Sequence, residues 1–185
     1  MGSIDRSVAK LRASVNPWLA TDRGVQKILN GILLLGFLLR VGVAFFTHLP
    51  HMDRDSFDYF HQADVLLAGG YTNYFPNGYP FIIALFKAIA GDHVITLILS
   101  MNILLSTLTI YFVYDIGRKV FQRASIALVA AFIVAVLPTQ LNYSRWVMTE
   151  IPTAFFLLGG YFFYYRGKTW LSGLFLGMAT VIRTD

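Results

Sequence analysis

Long apolar runs alternate with short charged clusters along the chain. The first run, Ile28 to Phe46, opens into a polar stretch, His48 to Pro80, that holds Asp53, Asp55, Asp58 and Asp64. The ten residues Phe81 to Ala90 follow. At about 1.5 Å per residue they reach roughly 15 Å, half of a bilayer core. They also contain Lys87 and stop at Gly91-Asp92, so a short interfacial or half-inserted helix is expected. Val94 to Ile116, Ser125 to Leu137 (stopped by Pro138), Ile151 to Tyr165 and Trp170 to Ile182 read as further spans. The pattern predicts an all-α polytopic membrane protein with about five transmembrane helices and a first extracytoplasmic loop, about residues 47–92, containing interfacial helices. The domain division is a cytoplasmic N-terminal segment, 1–24, and a transmembrane module, 25–185.

Composition agrees. Apolar residues make up 56% of the 185 and charged ones 14%, against about 25% charged in a soluble domain. The net charge of +5 does not point to nucleic acid, because no stretch interleaves aromatics with dense Lys/Arg. With no cysteine, disulfides, zinc-thiolate sites and thiol catalysis are excluded. No cleavable signal peptide is evident in the polar, basic first 24 residues.

Sorted by side, the charges give an orientation. Arg6, Lys10, Arg12, Arg23 and Lys27 place the N-terminus in the cytoplasm. If 81–90 does not span, Arg118, Lys119, Arg123, Arg166 and Lys168 fall on the same side. Asp53, Asp55, Asp58, Arg145, Glu150 and Arg183 then gather at the outer face, with Arg40 just below. Carboxylates and guanidinium groups at a membrane surface suit chemistry on a phosphate-bearing lipid. An acid can act as a base or bind a metal, and Arg matches phosphate with bidentate hydrogen bonds.

Each candidate also has a plain structural reading. Asp55 could be the N-cap of a helix ending at Gly69-Gly70, with Asp58 at N3. Arg40, about two-thirds along a span, is expensive there and by default functional, or it snorkels to the outer headgroups. Arg145 with Trp146 could be an interfacial anchor, Glu150 a cap for the helix carrying Pro152, and Arg183 a terminal anchor. Tyr71, Tyr74, Phe75, Tyr79 and Phe81 could stack on a sugar, though an aromatic belt accounts for them as well. His48, His51, His61 and His93 lack metal-ligand spacing. Gly173-x-x-x-Gly177 suggests helix packing, Asn102 interhelical bonding, and Asp115 a cytoplasmic span end.

The order of features resembles the GT-C glycosyltransferases that use lipid-phosphate sugars, including protein O-mannosyltransferases and aminoarabinose transferases. The resemblance is carried by "LLRVGVAFF", "DRDSFDYFHQADVLLAGG", "NYFPNGYPFIIALFKAIAG", "LLSTLTIYFVYDIGRKVF", "VLPTQLNYSRWVMTEIPTAFFLL" and "GLFLGMATVIRTD", in that order. It covers nearly all of the chain after about residue 24. It implies a catalytic carboxylate in the first outer loop, in a pattern like Asp-Glu-x-x-Tyr, which matches Asp55-Ser56-Phe57-Asp58-Tyr59. Ser56 stands where the family has its second acid, so Asp53 or Asp58 is a candidate substitute. Glu150 matches a second acid near the mouth of the fourth span, and Arg183 a basic residue for the lipid phosphate.

The expectation is a membrane glycosyltransferase that moves a sugar from a polyprenyl-phosphate-sugar donor to an acceptor at the extracytoplasmic face, with inversion. Asp55 is the expected base. Glu150, Asp53 and Asp58 are candidates for a second acid or for an acceptor or metal ligand, and Arg40, Arg145 and Arg183 for binding the lipid phosphate. A divalent cation, Mg or Mn, is left open. The alternatives are a non-catalytic lipid-binding or scaffolding subunit of the same fold and, less favoured, a small transporter. The expected location is the plasma membrane, or the endoplasmic reticulum in a eukaryote. Further transmembrane helices or a C-terminal domain are expected to follow, because the chain stops at the outer end of a span.

Overall fold

The computed structural model describes residues 21–47, 52–72 and 74–184. Most of the N-terminal segment 1–24, together with His48 and His51, lies outside the described residues. The described chain is an all-α polytopic membrane protein. Helix α1, Asp22–Gly42, runs on as a π-helical turn, Val43–Thr47. It starts six residues before the apolar run, because the Thr21 side chain accepts the Gly24 N–H at 3.1 Å and Asp22 sits at the positive helix end. Then come α2 (Arg54–Leu67), α3 (Gly78–Ala90), a 3-10 turn (Gly91–His93), α4 (Val94–Phe121), α5 (Ala124–Val136), α6 (Pro138–Tyr143), α7 (Glu150–Tyr165) and α8 (Thr169–Ile182). Asp22–Phe46 and Gly78–Phe121 are long and apolar enough to cross a membrane, and Ala124–Val136 and Thr169–Ile182 are shorter apolar helices. The second stretch breaks at Gly91, whose φ of 52° is costly for a residue with a Cβ.

Two buried clusters hold the helices together. In the first, Val25, Leu29 and Ile32 of α1 meet Ile110 and Tyr114 of α4 and Ala127, Leu128, Ala131 and Ala135 of α5. The alanines recur every fourth residue, so one small-residue seam lets α5 approach closely. In the second, Tyr59 and Ala63 of α2 pack with Tyr79, Ile83 and Ala84 of α3, Val94 and Ile98 of α4, Val147, and Ile182 at the end of α8. Lys87 of α3 pairs with Asp64 of α2 across this layer.

Gly159 and Gly160 of α7 pack tightly against Phe175 and Leu176 of α8. A Cβ on Gly159 would sit 2.4 Å from Phe175 Cδ1. Gly173 and Gly177 would meet nothing within 4 Å. The packing expected of that GxxxG pair is therefore not made within the described chain. It falls to the neighbouring helix instead.

Arg40 is turned into the helix bundle. Its residue is fully buried, and four of its N–H bonds are taken. Nε donates to Ser106 Oγ at 2.9 Å, Nη1 to the carbonyls of Gly36 and Ala135 at 2.9 and 3.0 Å, and Nη2 to Val134 O at 3.2 Å. The reason lies in Pro138. A helical carbonyl is normally satisfied by the N–H four residues on, and for Val134 that residue is a proline, which has no N–H. The guanidinium supplies the missing donor and also places positive charge at the C-terminal end of α5. Four of its five donors thus go to protein acceptors, and it is not among the residues lining the cavity described below.

At the far end of the bundle Arg118 pairs with Asp22 at 3.0 Å, and Asp115 with Arg166 at 2.8 Å. Asp115 therefore closes a charged span end, as its position suggested. Arg40→Leu should lower stability by about 2–4 kcal/mol, because several buried acceptors lose their donor together. Thermal unfolding in detergent measures this, and Arg40→Lys, which offers one point charge in place of a fork, should recover only part of it.

Candidate active site

The site grows from the start of α2. Its N-cap is Asp53, not Asp55: the Asp53 side chain accepts the Arg54 N–H at 2.7 Å, and the capping box closes through Ser56. Asp55 lies in the first turn, half-buried. Its carboxylate is therefore not used up in capping, while Asp53, exposed and capping, is.

Ser56, where the resembling family carries an acid, is fully buried. Its Oγ accepts the Asp53 N–H at 3.1 Å and donates to Val147 O at 2.9 Å. From the other side Asn102 Nδ2 of α4 donates to Trp146 O at 2.8 Å. Two side chains on two helices thus clamp the non-helical stretch before α7. Neither carbonyl belongs to a helix, so each needs an outside donor in apolar surroundings. The clamp sets where α7 begins, and its first residue is Glu150.

The third element arrives through a glycine. A Cβ on Gly78, at the start of α3, would stand 2.5 Å from Val181 O, closer than atoms pack. The bare glycine lets the end of α8 lie against α3, and Arg183 leaves that end with Nη1 donating to Glu150 Oε1 at 3.0 Å. Glu150 Oε2 is buried without a hydrogen-bond partner among the described residues.

Asp55, Glu150 and Arg183 line one cavity of about 160 Å³, together with Tyr59, Phe75, Pro76, Met148, Thr149 and Ile182. The Tyr59 ring packs on Phe75 (4.7 Å between centroids) and edge-on to Tyr79 (5.2 Å). Burial raises the Tyr59 hydroxyl above its usual range, partly offset by a side-chain hydrogen bond with Thr149. The Tyr59 phenol therefore stays neutral at ordinary pH.

Of the remaining candidates, Asp58 lies on a second cavity beside α2. Arg145 is not among the residues that line the first, nor is Arg40. Nothing in the sequence marked Thr149, and Ser56 stood out there only as the residue in place of an acid. A lone hydroxyl among the acids Asp53, Asp55 and Asp58 was the available signal for Ser56. Among the described residues no three His, Cys, Asp or Glu side chains come close enough to hold a metal ion. Asp55 and the guanidinium-paired Glu150 give a thinner oxygen set than a dedicated protein site for a hard cation needs.

Ser56→Ala should cost about 1–3 kcal/mol through the lost cap and the unsatisfied Val147 carbonyl. Activity should fall more steeply than that loss of stability explains, as Glu150 drifts from Asp55. Unfolding midpoints and transfer rates measured on the same preparation separate the two effects.

No curated protein and no solved structure matches the chain. A family model does: dolichyl-phosphate-mannose-protein mannosyltransferase, over residues 75–184. The match takes in Glu150 and Arg183, and Asp55 lies upstream of it. It covers more than half of the 185 residues, and so the chain belongs to the dolichyl-phosphate-mannose-protein mannosyltransferase family, membrane glycosyltransferases of the GT-C type.

Proposed function

We propose that the chain transfers a sugar from a polyprenyl-phosphate-sugar donor to a hydroxyl acceptor, with Asp55 as general base. One observation carries the proposal: a carboxylate from α2, a carboxylate from α7 and a guanidinium beyond α8 line a single cavity. The acceptor hydroxyl gives its proton to Asp55 as its oxygen attacks the anomeric carbon. The bond from that carbon to the phosphate oxygen breaks on the opposite face, so configuration inverts and the polyprenyl phosphate leaves with the electron pair.

Arg183 is the group that meets the leaving phosphate. Glu150 holds one edge of that guanidinium at the cavity, and a planar guanidinium matches phosphate oxygens with charge-assisted hydrogen bonds. The unpartnered Oε2 of Glu150 accepts a hydroxyl of the sugar. Tyr59, neutral at ordinary pH, adds no negative charge that would repel the phosphate. A volume of about 160 Å³ takes the reacting centre and leaves the prenyl chain in the lipid beside the helices.

In this reading the site faces the extracytoplasmic side, α3 lies in the interface without spanning, and five helices cross the membrane with the N-terminus in the cytoplasm. The positive charges of Arg118, Lys119, Arg123, Arg166 and Lys168 at the opposite end support that orientation. The plasma membrane is the proposed location, or the endoplasmic reticulum in a eukaryotic cell.

Asp55→Asn keeps the shape and removes the base, and transfer from a labelled polyprenyl-phosphate sugar should drop roughly 10²–10⁴-fold. Donor binding should stay close to wild type. Wild-type transfer by that variant would overturn the assignment. Arg183→Lys should instead weaken donor binding, seen as a raised KM for the lipid-phosphate sugar, because a point charge cannot copy the fork.

A further inference from the structure

A second cavity, of about 310 Å³, lies on the neighbouring face of α2 and is lined by Arg54, Asp58, His61, Gln62, Thr72 and Tyr74. Helical geometry sets the relation of the two cavities. Residues 54, 58, 61 and 62 share one stripe of α2, and 55 and 59 share the next. The wall between them is the edge-on pair Tyr74 and Phe75, 4.7 Å apart, with Tyr74 on the second cavity and Phe75 on the first.

From this arrangement we propose that the second cavity is the acceptor subsite and that the acceptor is a neutral saccharide, or a similar polyol, whose reacting hydroxyl reaches past the Tyr74–Phe75 wall to Asp55. The proposal rests on the transferase reading above and deepens it.

The lining chemistry selects the ligand class. None of the six residues is aliphatic, and the charges of Arg54 and Asp58 cancel. An uncharged ligand with many hydrogen-bonding groups therefore fits better than an anion or an apolar side chain. Gln62 Nε2 donates to Phe75 O at 2.9 Å and to Asn77 Oδ1 at 2.7 Å. These bonds fix the amide's orientation and leave Gln62 Oε1 as a buried acceptor without a partner among the described residues. Thr72 Oγ1 is in the same position.

Buried polar atoms left unpaired are costly, and here both belong to residues on the cavity wall. A sugar hydroxyl donates and accepts at once, so adjacent hydroxyls can serve Gln62 Oε1 and Thr72 Oγ1 while taking bonds from Arg54. Asp58 accepts another hydroxyl. Tyr74, 72% exposed, offers a ring face for the C–H side of a pyranose.

The test uses the whole chain in lipid nanodiscs and two readouts. The first is saturation-transfer NMR with methyl glucopyranoside and methyl mannopyranoside, beside a Ser/Thr-containing peptide, on wild type and Tyr74→Ala. At least one glycoside should bind to wild type and lose about tenfold in affinity in Tyr74→Ala, whose fold is checked by its unfolding midpoint. Arg54→Ala should weaken the same glycoside. The second readout is transfer from labelled polyprenyl-phosphate sugar. Tyr74→Ala should raise the KM of the glycoside acceptor about tenfold and leave the donor KM unchanged.

Failure of every glycoside to bind, binding unaffected by Tyr74→Ala, or transfer to the peptide alone would overturn the subsite. Glycoside binding that depends on Tyr74, with no donor turnover that depends on Asp55, would keep the saccharide site and remove the transferase reading beneath it.

Discussion

A helix broken inside an apolar layer strands carbonyl groups that neither lipid nor core can satisfy, and this fold breaks helices where its site is built. Pro138 takes from Val134 the N–H that would have closed its turn, and Arg40 reaches across from α1 to replace it. The stretch between Tyr143 and Glu150 leaves Trp146 and Val147 carbonyls outside any helix, and Asn102 and Ser56 take them up. These donors come from α1, α4 and α2. Satisfying the breaks therefore locks the helices to one another and fixes the point at which α7 starts.

The buried polar side chains are the framework of the end that holds the candidate site. Ser56 joins the helix that bears Asp55 to the segment that leads into Glu150. Gly78, by having no side chain, lets the helix that ends in Arg183 lie against α3. None of these residues touches the reacting atoms in the mechanism proposed. They act by position, and their substitution shows first as a displaced site.

Much of the fold was legible in the sequence. Apolar runs and the charges that bound them marked α1, α4, α5, α7 and α8 closely, because span length and charge are one-dimensional signals. Gly91-Asp92 marked the end of the short helix α3. The convergence of Asp55, Glu150 and Arg183 was open to expectation because they flank segments that return to one face. Three features were not legible. Whether Asp53 or Asp55 caps α2 depends on a turn of one residue, and spacing admits both. Arg40 could be expected to serve a headgroup or to snorkel, because a lone charge in a span is costly, while three of its four acceptors are backbone carbonyls that no sequence displays and the fourth is Ser106 Oγ. GxxxG is a pattern of small residues, and small residues permit contact without specifying it; the contact went to Gly159 and Gly160, where Phe175 and Leu176 fill the space.

Three distant segments place Asp55, Glu150 and Arg183 around one cavity. The chain contains no cysteine, so a pair of introduced cysteines gives one unambiguous product. Cysteines at 55 and 150, and at 55 and 183, should be joined within the chain by a short bifunctional thiosulfonate in native membranes. A cysteine at 166, on the opposite end of the bundle, should not be joined to 55. Efficient linking of 55 to 166, or no linking of 55 to 150, would contradict the account.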